Sequence, residues 1–126
     1  MNRRGFSLIE VIIALVILAI ISLSLGRFVG SFLHTVGVSS VKTVATAAAQ
    51  EQIELVRATP AYTSLVAAFN NNTVTGFPGY PNMTRLTRVT RTTGATPRRD
   101  YTTITVTVTE PSMTTPVNVT AVVAAP

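Results

Sequence analysis

Gly5-Phe6-Ser7-Leu8-Ile9-Glu10-Val11 opens the stretch that decides the fold. Arg3 and Arg4 stand just before it, and after Glu10 no charge recurs until Arg27. From Val11 to Leu25 the chain is almost wholly Val, Ile, Leu and Ala, interrupted by Ser22 and Ser24. A bilayer core of about 30 Å takes about 20 predominantly apolar helical residues, and residues 6–25 supply that length if Glu10 is tolerated. Lys and Arg favour the cytoplasmic side, so Arg3 and Arg4 place the N-terminus inside and the remaining chain outside. A secretory signal also carries basic residues before an apolar core, but it ends on a small-residue cleavage site. Leu25-Gly26-Arg27-Phe28 is a poor site of that kind, and the small residue lies at the near end instead, as Gly5.

Glu10 is the costly residue. A charge at mid-membrane costs at least about 2.5–3.5 kcal/mol on insertion scales, and such groups are usually paired and functional. If the chain is cut after Gly5, the new α-amino group of Phe6 lies about one helical turn from Glu10. Amine and carboxylate then neutralise each other, within one chain or between neighbours. The simpler alternative is a carboxylate near the headgroups, protonated or snorkelling. Both readings stand on the residues alone.

The helical pattern continues past the span. Val29, Phe32, Leu33 and Val36 extend an apolar face, and Val41, Val44, Ala45, Ala48, Gln52 and Leu55 resume it. Lys42, Glu51, Glu54 and Arg57 fall on the wetter side, with Glu54 and Arg57 spaced for a weak ion pair. Thr59-Pro60 supplies the stop, because the residue before proline avoids the helical region. One helix over residues 6–58 is predicted, roughly 80 Å long at about 1.5 Å per residue. Gly26, Gly30 and Gly37 each cost it about 1 kcal/mol relative to alanine. Residues 26–30 are either a soft point that melts on assembly or a place of close packing through small residues.

The remainder is Thr- and Val-rich. Tyr62, Leu65, Val66 and Phe69 are spaced for a short helix or turn, and residues 70–72 and 76–81 read as an irregular loop rich in Asn, Gly and Pro. Phe77 and Tyr80 are expected to fold over the core. Residues 84–91 repeat Thr-Arg three times, which suggests an edge strand with charge on both faces. Residues 92–99, with Gly94 and Pro97, read as a turn or loop. Residues 101–109 alternate cleanly, with Ile104, Val106 and Val108 on one side and threonines on the other. After a loop at 110–116, Val117, Val119, Ala121 and Val123 alternate again. These two strands are expected to pair as an antiparallel hairpin whose apolar face packs on the helix around residues 44–55. The fold class is α+β: a long N-terminal helix packed on a small C-terminal antiparallel sheet.

The 126 residues suggest one domain after the span. Cysteine is absent, which excludes disulfides and thiolate metal sites. His34 is the only histidine and has no second histidine or cysteine to share a metal with. Glu51 and Glu54 read as a solvated helix face rather than an acid–base pair. No glycine-rich phosphate loop follows a strand. No cofactor is expected, and the chain is expected not to be an enzyme. The net charge of +5 is concentrated partly in Arg85, Arg88, Arg91, Arg98 and Arg99, which read as a solvated strand, a contact to an acidic neighbour, or a phosphate-attracting patch for DNA. Asn71, Asn82 and Asn118 fit the Asn-X-Thr pattern, an accidental match in this setting.

Arg4-Gly5-Phe6-Ser7-Leu8-Ile9-Glu10-Val11-Ile12-Ile13-Ala14-Leu15 resembles the class III signal of bacterial type IV prepilins and type II secretion pseudopilins, closely so over residues 4–21. The resemblance implies cleavage by a membrane prepilin peptidase between Gly5 and Phe6, N-methylation of Phe6, and pairing of Glu10 with the terminal amine of a neighbouring subunit during assembly. It implies residues 1–5 as leader, 6–26 as the transmembrane and filament-core half of the helix, 27–58 as its spine half, and 59–126 as a small β-rich head. The implied partners are other pilins or pseudopilins, the peptidase, the membrane and an inner-membrane assembly platform. The implied location is the inner membrane with a periplasmic head, then a pilus or pseudopilus. Many major pilins carry a C-terminal disulfide and a helix-breaking proline, both missing here. The Val–Thr ending resembles that of V-type minor pilins and I-type minor pseudopilins. The expected function is a structural subunit, minor rather than major, of a type IV pilus or related filament, with a minor secretion pseudopilin and a DNA-binding minor pilin of an uptake system as alternatives.

Overall fold

The computed structural model describes residues 5–95 and 98–126, together with the backbone but not the side chain of Arg98. Expectations for Arg3, Arg4, Pro97 and the Arg98 side chain lie outside the described residues. The chain divides into two compact units, Met1–Gly37 and Val38–Pro126.

A single α-helix, α1 (Leu8–Ala58), runs through both. It begins two residues later than expected. Ser7 closes the first turn, its carbonyl accepting the backbone N–H groups of Glu10 at 3.0 Å and Val11 at 3.2 Å. Hydroxyls along the apolar length turn back on their own helix: Ser22 donates to the Leu18 carbonyl at 2.8 Å and Ser24 to that of Ile20 at 2.9 Å. This is how serine persists in an apolar helix without leaving a polar group unmet. The helix is unbroken at Gly26, Gly30 and Gly37, and a Cβ added at any of them meets no heavy atom within 4 Å. Within one chain these glycines are not required for close packing.

The second unit is the head. After α1 come a short 3-10 turn (Tyr62–Ser64) and a short helix, α2 (Leu65–Phe69). Four strands follow: β1 (Asn72–Phe77), β2 (Tyr80–Ala95), β3 (Arg98–Thr109) and β4 (Val117–Ala124). They form one antiparallel sheet in the order β1-β2-β3-β4. With α1 this makes the expected α+β fold. The helix-facing residues of β3, namely Thr102, Ile104, Val106 and Val108, are fully covered. They pack with Val89 and Met83 of β2 against Ala45, Ala49, Ile53 and Val56 of α1. Alanines 45, 48 and 49 of α1 are buried on its sheet-facing side. Each fully buried Val, Leu or Ile there contributes about 1.5–3 kcal/mol by leaving water. The β3–β4 hairpin pairs in register from Val108↔Val117 to Tyr101↔Ala124, as its alternation predicted.

Four expectations need correction. Asn72, Gly76, Phe77, Tyr80 and Pro81, expected in an irregular loop, belong to strands β1 and β2. Pro78 and Gly79 make a two-residue turn between the paired Phe77 and Tyr80. Gly79 has φ of +80°, the value that position i+2 of a type II turn demands, and proline favours i+1. Residues 92–95 and 98–99 also belong to strands, because β2 and β3 stay paired out to Ala95↔Arg98. β2 is interior rather than an edge, although its pairing with β1 ends at Thr87. Leu55 is exposed, and Ile53 and Val56 take the core positions instead. Phe77 and Tyr80 do pack against the core, as do Tyr62, Val66 and Phe69. Glu54 and Arg57 pair at 3.7 Å on the exposed face, a contact of little energetic weight.

Candidate functional site

The first candidate lies at the start of α1. Gly5, Phe6, Ser7 and Glu10 line one open hollow there, and Phe6 and Glu10 line a second with Ala14, Leu15 and Leu18. Glu10 sits in the first helical turn, where unpaired backbone N–H groups favour a carboxylate. The helix therefore supplies part of what a carboxylate in an apolar stretch needs. Phe6 is 82% exposed, and the apolar side chains from Leu8 to Val36 are likewise uncovered within this chain. α1 is long and apolar enough to cross a membrane.

The second candidate, the arginine cluster, is divided by the pleat of the sheet. Side chains alternate along a strand, so Arg85 and Arg91 share the helix-facing side of β2 while Arg88 takes the other. Arg85 donates from Nη1 to the Ala48 carbonyl at 3.1 Å and lies over the Phe77 ring, 5.4 Å from its centroid. Arg91 pairs with Asp100. The hydrogen bond to Asp100 holds the Arg91 guanidinium above the ordinary arginine range, against the opposing effect of desolvation. Arg88 and Arg99 are exposed. Arg88 lies in register with Thr105, whose row continues to Thr120 on the outward face. The sequence spacing predicts charge on both faces of this strand, and the structure agrees. Arg85 and Arg91 have partners within the head, Arg91 at an exposed position, whereas Arg88 and Arg99 are exposed on the strands.

Tyr62 is a residue that the sequence places in a short helix or turn and to which it assigns no partner. Its hydroxyl donates to Asp100 Oδ1 at 3.0 Å. Nothing in the local pattern signals a contact across 38 residues of chain. Among the described residues no group of three His, Cys, Asp or Glu is placed to hold a metal ion.

Residues 1–26 match the prokaryotic N-terminal methylation motif. This motif is the class III signal of type IV pilin-like proteins. It supports a pilin-like or pseudopilin-type protein, a class whose work is structural, and it implies processing by prepilin peptidase and assembly with other pilins. The signal and the long apolar helix fit membrane anchoring. The match ends at residue 26, and the head lies outside it. No curated protein and no solved structure matches the chain.

Proposed function

We propose that this chain is a minor structural subunit of a type IV pilus, cut between Gly5 and Phe6, methylated on Phe6, and held in register during assembly by Glu10. The observation that carries the reading is a single carboxylate in the first turn of an otherwise apolar helix, inside the segment that matches the methylation motif. Residues 1–5 are the leader. Residues 6–26 hold the subunit in the inner membrane and then pack in the filament core. Residues 27–58 form the spine, and residues 59–126 the periplasmic head. Leaving lipid for protein exchanges one apolar surrounding for another, so apolar area alone gives little drive. A specific pair between Glu10 and the amine of a neighbour's Phe6 supplies the preference and the register. Support for a minor rather than major subunit comes from the absence of cysteine and from the Val–Thr hairpin that closes the chain.

The test is Glu10→Val in the native host. The variant is expected to be processed at the wild-type rate and to remain in the membrane, with its signal lost from sheared filaments. Entry of Glu10→Val into filaments at the wild-type level contradicts the role given to Glu10. A secretion pseudopilus subunit has the same N-terminal parts. Processed protein confined to the envelope, with wild-type Glu10 present, favours that alternative.

A further inference from the structure

Both margins of the head's sheet are open. β4 forms one margin. Its eight residues, Val117–Ala124, include no charge and no proline, and its pairing with β3 runs without a bulge. Natural edge strands are usually blunted by charge, proline or a bulge, because their free N–H and C=O groups otherwise template another strand. Beside β4, Gln50, Ile53, Glu54 and Arg57 of α1 and Val119, Thr120 and Ala121 of the strand line an open hollow of about 360 Å³, apolar on its Ile53, Val119 and Ala121 side. β1 forms the opposite margin. It is also free of charge and proline; its one irregularity, between Thr75 and Phe77, lies at the turn end and leaves residues 72–75 regularly paired, with Val74 37% exposed. Val74 on one margin and Val119 and Ala121 on the other are therefore only partly covered.

We propose that these two edges pair head to tail between copies of this chain, with β1 of one copy added antiparallel to β4 of the next. The strands alternate in direction, so a copy displaced along the sheet presents its β1 antiparallel to β4. Val74 of the incoming strand then covers the hollow beside Val119 and Ala121. Its Thr73 and Thr75 extend the polar rows that now end at Asn118, which accepts from Thr107 at 2.7 Å, and Thr120, 3.3 Å from Thr105. Main-chain bonds supply affinity in such strand addition, and alternate side chains supply the fit. Because the two edges differ, the contact is heterologous and propagates rather than closing on itself. A like-with-like β4 pair closes as a dimer and leaves Val74 uncovered. The proposal does not depend on processing, since both edges lie in the head.

The lack of cysteine allows a clean test. Full-length chain in detergent is prepared with Thr73 or Thr75 on β1, combined with Asn118 or Thr120 on β4, changed to cysteine; the four pairings scan the register. Within one chain β1 and β4 stand three strand spacings apart, about 14 Å, whereas a disulfide needs Cα atoms within about 7 Å, so every disulfide formed joins two copies. After mild oxidation, at least one double variant is expected to give a ladder of dimers, trimers and longer species, while each single variant stays monomeric. Dimers from Thr120→Cys or Asn118→Cys alone, matching the double variants, overturn head-to-tail pairing in favour of a closed dimer. Absence of cross-links from all four double variants, with far-UV circular dichroism unchanged, overturns edge pairing altogether.

Discussion

Arg91 and Asp100 meet across the β2–β3 hairpin in a two-point ion pair, with Nε donating to Oδ1 at 2.9 Å and Nη2 to Oδ2 at 2.6 Å. Tyr62 completes the cluster. Its hydroxyl reaches the same carboxylate, and its ring lies 5.1 Å from the Arg91 guanidinium carbon. The pair sits where β2 has passed beyond its last partner on β1, so it ties the far end of the hairpin to the segment that leaves α1. Groups that share a partner couple non-additively. Arg91→Ala and Asp100→Asn are each expected to lower Tm, with the double variant costing less than their sum. Strict additivity in that cycle contradicts the cluster.

The same pair sets a pH expectation. Asp100 raises the pKa of Arg91, and a cation whose folded value is raised contributes its full stability below the unfolded value. That contribution is lost only as pH rises through the folded value, which here lies above the ordinary arginine range. The Tm difference between wild type and Arg91→Ala is therefore expected to stay flat from about pH 7 to about pH 10. A steady decline of that difference within this window contradicts the assignment.

The division of the arginines gives a second contrast. Arg85 is held between the Ala48 carbonyl and the Phe77 ring, whereas Arg88 is exposed on the opposite side of the strand. Arg85→Ala is expected to destabilise the head by about 1–3 kcal/mol through loss of a charge-assisted hydrogen bond. Arg88→Ala is expected to change stability by no more than about 0.5 kcal/mol. Urea unfolding of the two variants checks the difference, and equal costs contradict the division.

The centre of the head is Ile104, fully covered on β3 against α1. Ile104→Ala is expected to cost about 2–5 kcal/mol in the same assay, through lost transfer energy and the cavity left behind. Leu55→Ala is the control, because Leu55 is 56% exposed in this chain. A larger loss at Leu55 than at Ile104 contradicts the packing described.

What could be read in advance follows the strength of each local pattern. The N-terminal helix and the β3–β4 hairpin were legible because period 3.6 and period 2 run there without interruption. Residues 72–77 were not, because only Val74 and Phe77 are large and apolar, and Asn70–Asn72 with Gly76 read as breakers. The usable signal was Pro78-Gly79 between Phe77 and Tyr80, a tight-turn pair rather than a loop. Gly94 likewise hid a hairpin that stays paired to Ala95 and Arg98. On α1, Leu55 was chosen over Ile53 and Val56 because hydropathy does not reveal the angle at which the sheet meets the helix. The six-residue spacing of Arg85 and Arg91 already put them on one face of a strand. That they are engaged by Ala48, Phe77, Asp100 and Tyr62 depends on tertiary packing, which spacing does not encode.

The central claim is that Gly5-Phe6 is a processing site at the head of an assembling helix. Intact mass and N-terminal analysis of the protein from its native host, from membranes and from sheared surface filaments, tests it most directly. A chain that begins at methylated Phe6 and occurs in the filament fraction is the expected result. A chain that still begins at Met1, in cells whose prepilin peptidase is active, contradicts the account.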